Sequence, residues 1–319
     1  MSKTVSFRGR LKVLVALLAI AAAPLAAQAW TSKPVRVLVP APPGGTADIV
    51  ARVVAEALSA EIGQPVIVEN KPGAGGAIAI EALKAAPADG QTILIAASNI
   101  LTEVPLVMKT SFDPVKDVKP VTMVGRANMV LVAAASVPAN DVKGLVGYLK
   151  SHNGGKGSFA SYTAGTSSHY AGMIFAKKAG LDLTHVPFPG SPPALQNLMG
   201  GQVDIMFDGM ATSLPQIKGG KLKAFGVASK IRSVHLPDVP TMAEQGYAEI
   251  DFSNWVGTVV SAKMSPELIG RINIATLKAV MSPKVRDRLV AAGFEPSVSE
   301  SPDKLAQMVK ADVERNAQI

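Results

Sequence analysis

Short apolar runs alternate along the chain with longer stretches in which apolar residues return every three or four positions. This is the pattern of an α/β fold. Val35-Arg36-Val37-Leu38-Val39-Pro40 reads as a strand, and Thr46 to Ile62 as a helix with Ile49, Val50, Val53, Ala57, Leu58 and Ile62 on one face. Strands follow at Pro65 to Glu69 and Thr92 to Ala97, with a helix from Gly75 to Ala85 between them. Val121–Val124 and Val130–Ala134 read as two strands flanking a crossing point. Beyond it come strands at Ser158–Ser161, Leu183–Pro187, Val203–Phe207 and Ala224–Ala228, and helices at Ser167–Ala179 and Pro193–Met199. Trp255–Ser261 is a return strand, followed by helices at Pro266–Met281, Pro283–Ala292 and Pro302–Asn316. The strand–loop–helix unit occurs near residue 40 and again near residue 160. Two α/β lobes are therefore expected, residues 30–130 with 252–319 and an inserted 131–251.

Residues 1–29 read as a secretory signal. A basic segment ends at Lys12, an apolar run covers Val13 to Ala23, and Ala27-Gln28-Ala29 fits a small-x-small cleavage site. The alternative is an uncleaved anchor, for which the run is short of the ~20 residues that span a bilayer. Cleavage after Ala29 and a soluble, exported mature chain beginning at Trp30 are expected.

The formal charge of +8 overstates the basic character. Lys3, Arg8, Arg10 and Lys12 lie in the signal with no acid beside them, so the rest carries +4. Its basic residues are scattered singly and in pairs without interleaved aromatics, which speaks against a nucleic-acid surface. Zero cysteines exclude disulfides, thiolate metal sites and cysteine nucleophiles. The four histidines show no metal-ligand spacing, so no metal is expected.

Candidate chemistry gathers in strand-to-helix loops. Pro40-Ala41-Pro42-Pro43-Gly44-Gly45-Thr46-Ala47-Asp48 runs from a strand into a helix start. Its glycines permit close backbone approach, and the helix N-terminus offers free N–H groups and a partial positive charge, an anion site without a cation. Thr46 could cap the helix or bond a ligand, and Asp48 could lock the loop. A plain β–α turn is the alternative. Asn70-Lys71-Pro72-Gly73-Ala74-Gly75-Gly76 lacks the third glycine of a dinucleotide fingerprint, Ile78 standing in its place. It reads as a tight turn, and no cofactor is expected. Ser161-Tyr162-Thr163-Ala164-Gly165-Thr166-Ser167-Ser168-His169 concentrates hydroxyls at a helix start. As a hydrolase elbow it fails, because His169 stands where glycine is required. A serine hydrolase using Ser167 and His169 is the rival reading. Asp204, Met206 and Asp208 fall on one strand face, with Asp208 at the carboxyl end where open α/β sheets bind ligands.

Taken together these segments resemble the Bug-type extracytoplasmic solute receptors, the TctC-like binding proteins of tripartite tricarboxylate transporters. The resemblance runs from Lys33 to Asn316. It is carried by Pro43-Gly44-Gly45-Thr46-Ala47-Asp48, Asn70-Lys71-Pro72-Gly73-Ala74-Gly75-Gly76, Pro87-Ala88-Asp89-Gly90-Gln91-Thr92, Gly200-Gly201-Gln202-Val203-Asp204-Ile205-Met206-Phe207-Asp208 and Leu236-Pro237-Asp238-Val239-Pro240-Thr241. It implies a type II periplasmic-binding-protein fold with a cleft between two lobes, no catalysis, and a monomer serving the membrane subunits of a transporter. A solute sensor is the alternative role. It further implies a small carboxylate ligand held by main-chain N–H groups, with contact carried onto Gly44, Gly45, Thr46, Asp48, Ser98, Asn99, Gly165, Thr166, Ser167, His169, Gly190 and Asp208. Two departures bear on the ligand. The family's usual aromatic at position 41 is Ala41, and its usual Tyr-Lys-Gly is Phe188-Pro189-Gly190. Both point to a bulkier or more apolar acid.

Overall fold

The computed structural model describes residues 30–299 and 301–317. The signal reading therefore lies outside the described residues. In chain order the elements are β1 (Val35–Val39), α1 (Thr46–Ile62), β2 (Val66–Asn70), α2 (Ala77–Ala85), β3 (Thr92–Ala97), α3 (Asn99–Thr102), α4 (Val104–Val107), β4 (Val118–Ala134), α5 (Val142–Ser151), β5 (Lys156–Ser161), α6 (Ser167–Ala179), β6 (Asp182–Pro187), α7 (Ser191–Met199), β7 (Ile205–Gly209), α8 (Met210–Lys218), β8 (Leu222–Ala228), β9 (Ser253–Ser261), α9 (Pro266–Met281), α10 (Pro283–Ala291), β10 (Glu295–Pro296) and α11 (Pro302–Asn316).

Strands run in the order β2-β1-β3-β9-β4-β7-β5-β6, with β8 and β10 also paired to β4. β1 pairs in parallel with β2 and β3, and β5 in parallel with β6 and β7. The two sets meet on β4. Its first part, to Asn128, pairs antiparallel with β9, and its second part, from Met129, pairs antiparallel with β7 and β8. The expected pair of strands around residue 126 is thus one 17-residue strand. Register shifts at Pro120/Thr122, Met123/Gly125 and Leu131/Val132 let it bend instead of breaking.

The central strands of each half, such as β3 and β7, are buried on both faces, which is why they read as apolar runs, while the edge strands β2 and β6 are partly exposed. Val37, Val39, Ile93 and Ile95 pack on α1, α9 and α10, while Leu38, Leu94 and Trp255 pack on α2 and α11. In the other half Leu131, Phe159 and Phe207 pack with Phe175 of α6, and Val130, Ala160 and Met206 pack with Leu198 of α7 and Leu214 of α8. Each fully buried aliphatic contributes about 1.5–3 kcal/mol. No helix among the described residues is long and apolar enough to cross a membrane.

Candidate functional site

Parallel strands turn their carboxyl ends the same way, and the loops leaving those ends form the usual ligand crevice of such sheets. Here six of them meet. Segments following β1, β2, β3, β5, β6 and β7 line one cavity of about 360 Å³, together with Ala127 and Met129 of β4 and Asn254 and Val256 of β9. No Lys, Arg, His, Asp or Glu is among its lining residues. Its polar groups are main chain, hydroxyls and two amides.

The loop after β1 is built by Asp48. The Asp48 carboxylate accepts the Gly44 N–H at 2.8 Å, Arg52 Nε at 2.9 Å and Asn70 Nδ2 at 2.8 Å, and the same Asn70 amide donates to the Ala41 carbonyl at 2.9 Å. Burial alone would raise this carboxyl; the bonds from Arg52, Gly44 and Asn70 outweigh it and hold it below its ordinary value. Gly44, at φ +77°, occupies the left-handed region that glycine tolerates best, which turns the chain toward α1. Gly44 and Asp48 therefore hold the loop, and Gly45 and Thr46 line the cavity. Gly45 is the N-cap of α1 and receives no side-chain cap. Thr46 Oγ1 is buried without a hydrogen-bond partner. It does not cap the helix.

The hydroxyl loop after β5 leads into α6. Thr166 caps the helix by position, its Oγ1 donating to the Thr163 carbonyl at 2.9 Å. Ser167 Oγ lies 2.7 and 2.6 Å from the two oxygens of Glu103 and accepts Asn254 Nδ2 at 2.8 Å. Burial pushes the Glu103 carboxyl up to about 7, against the bonds it receives from Ser167. His169 is directed elsewhere: its Nδ1 accepts the Gly165 N–H at 3.2 Å, and its ring lies tilted against that of His185, 4.1 Å between centroids. Burial lowers His169, and burial with His169 lowers His185 to about 4. The hydroxyl of Ser167 is thus engaged by a carboxyl and an amide, and no Ser167–His169 pair is formed. Thr166 and Ser167 line the cavity; Gly165 and His169 stand behind them.

Asp208 lies beneath the floor. It accepts Tyr162 Oη at 2.5 Å, Thr212 Oγ1 at 2.7 Å and Ser213 Oγ at 2.6 Å, and complete burial raises it despite them. Tyr162 Oη in turn accepts the Gly209 N–H at 2.6 Å. Asp204 is occupied by Ser158, whose N–H and hydroxyl reach it at 2.7 and 3.0 Å. Ser98, buried, donates to Asn254 Oδ1 at 3.2 Å, whereas Asn99 lines the cavity. Gly190 lines it too, immediately before Ser191 at the head of α7, two residues earlier than the pattern suggested.

The lining extends beyond the expected site residues. Gly73 to Gly76, read as a packing turn, forms one wall. Tyr162, Ser191 and Asn254 also line it. Asn254 was legible only as an amide opening an apolar strand. Among the described residues no three metal-ligating acids or histidines come together.

A family model, "Tripartite tricarboxylate transporter family receptor", matches residues 50–319. The chain is 33% identical to protein BugT of Bordetella pertussis (strain Tohama I), over 93% of this chain and 91% of that one. Among solved structures it is similar to MatC from Rhodopseudomonas palustris with bound malate (31% identity, TM-score 0.84, 90% of this chain and 98% of that one). It is similar also to R. palustris Rpa4515 with adipate (28% identity, TM-score 0.84, 90% and 95%). The protein belongs to the tripartite tricarboxylate transporter receptor family.

Proposed function

We propose that this chain is a periplasmic receptor that captures a carboxylate between two lobes and presents it to the membrane subunits of a tripartite transporter. The observation that carries the reading is the cavity itself: loops from the carboxyl ends of both parallel strand sets converge on it, and none of the side chains lining it is charged. An anion is held there by helix N-termini and hydroxyls, α1 through Gly45 and Thr46 and α7 through Gly190 and Ser191. Malate and adipate in the two related structures support a carboxylate. Gly45, Thr46, Asn99, Thr166, Ser167 and Gly190 are the contacts. Gly44, Asp48, Ser98, Gly165, His169 and Asp208 fix the loops that present them.

The lobes are residues 30–130 with 252–319, and 131–251, joined where β4 changes partners and where the chain returns into β9. A ligand touching both stabilises the closed form only by its preference for that form. No bond is made or broken, and the protein acts as a monomer. Residues 1–29 are the export signal, removed after Ala29.

A thermal-shift screen of carboxylic acids tests this, followed by calorimetry on the best. A bound acid at 100 times its Kd adds about 2.7 kcal/mol of stability. Failure of every acid to raise the Tm, or unaltered affinity in Gly45→Leu, refutes the reading.

A further inference from the structure

Glu103 is the one acid among the described residues that meets a lining side chain of this cavity through both its oxygens. It sits between α3 and α4, 6% exposed. Both its oxygens meet Ser167 Oγ, and it also takes the Ser167 N–H, the first free donor of the 13-residue helix α6. Asn254 Nδ2 completes the cluster on Ser167. Three segments distant in sequence thus converge on a helix N-terminus whose positive end is already met by a protein carboxylate.

We propose that Glu103 is a specificity-determining residue: by occupying the N-terminus of α6 it excludes a second ligand carboxylate and restricts the receptor to acids with one carboxylate and an uncharged body. This rests on the carboxylate reading above and narrows it. The donors that a second carboxylate would use at Ser167 are taken. A dianion would also face the Glu103 charge in a cavity with no lysine or arginine among its lining residues to offset it. Much of the remaining wall is apolar, from Ile100, Ala127, Met129, Phe188 and Val256, which suits a hydrocarbon or aromatic body. Malate and adipate, bound by the related proteins, are both diacids, so the proposed preference sets this chain apart from them.

Calorimetry with matched pairs decides it: hexanoate against adipate, and benzoate against terephthalate. At pH 8.5 the monoacid of at least one pair binds at least about tenfold tighter than its diacid. Glu103→Gln, which keeps a hydrogen-bonding amide and removes the charge, raises diacid affinity and closes most of that gap. The unaltered protein supplies a second measurement. Because the Glu103 carboxyl titrates near 7, its gap narrows at pH 6.5, where the diacids remain ionised. The other ionisable groups acting on Glu103 are Asp312 and Arg315 of α11, and its charge acts in turn on Tyr170 of α6. Equal or tighter diacid binding by the unaltered protein overturns the inference alone, as does an unchanged ratio in Glu103→Gln. If no member of either pair binds, the carboxylate reading falls and takes this with it.

Discussion

Gly190 closes onto Pro42. A Cβ built on Gly190 would lie 2.6 Å from Pro42 Cδ, and the backbone there has φ +142°, which L side chains rarely adopt. The two residues belong to loops after β6 and β1, on opposite parts of the sheet, and both line the cavity. Gly190→Ala is expected to hold these loops apart. Ligand affinity by calorimetry falls at least about tenfold, while the Tm moves by only a few degrees, the cost of one strained residue being on the order of 1–3 kcal/mol. Undiminished affinity would mean that the loops do not meet around the bound ligand.

Asp48 is expected to act on binding through the loop it ties. Asp48→Ala leaves the Gly44 N–H and the Asn70 amide without their acceptor, a loss of about 1–3 kcal/mol. Affinity for the acid falls with it. Because the folded carboxyl titrates below its ordinary value, its stabilisation is present above the unfolded pKa and is lost only as pH falls through the lowered folded one. The difference in Tm between the variant and the parent is therefore the same at pH 6, 7 and 8. A difference that shrank between pH 8 and 6 would show that another group holds the loop.

The parts of this site legible in the sequence are those fixed locally. Val35, Val37 and Val39 on one face and Leu38 on the other are apolar because both faces are covered there, only Arg36 reaching solvent, and Gly44-Gly45-Thr46 lies where strand becomes helix. What was missed depends on distant partners. The run Gly125-Arg126-Ala127-Asn128 looks like a break, yet Arg126 pairs with Trp255 and the strand continues. α8 was obscured by Pro215 and by Thr212 and Ser213, whose hydroxyls are turned to Asp208. Asp208 reads as a ligand residue until Tyr162, 46 positions away, is seen to bond it. Glu103 had a visible cue, a lone acid among the apolar residues 100–107, but its partner Ser167 lies 64 positions on.

Glu103 also sets a pH dependence of stability with the opposite sign to that of Asp48. Burial raises its folded pKa to about 7, so the native protein retains a proton that the unfolded chain releases near 4.3. The resulting stabilisation is complete below the unfolded value and is lost as pH climbs through about 7. Urea unfolding of the parent should lose on the order of 3 kcal/mol between pH 4.5 and 8 relative to Glu103→Gln, which cannot titrate. Taking the difference between the two proteins removes the contributions of Asp208 and Asp312, which burial also raises. Parallel pH profiles would place the Glu103 carboxyl at its ordinary pKa.

Ala41 bears on the size of the ligand. It lines the cavity, and its carbonyl is held by Asn70 at 2.9 Å, so its backbone is fixed where a larger side chain would have to fit. A cavity of about 360 Å³ is near the lower end of the range for small-molecule sites, and an added ring takes a substantial part of it. Ala41→Phe is therefore expected to weaken ring-bearing acids at least about tenfold, because overpacking a filled site forces neighbours from their rotamers. Acids of two to four carbons lose little, since the space removed is space they leave empty. The comparison is made on one protein preparation by calorimetry, with benzoate and a short aliphatic acid as the two probes. If both probes lose affinity equally, Ala41 acts through the loop rather than through volume. If benzoate is unaffected, its ring does not occupy the space beside position 41.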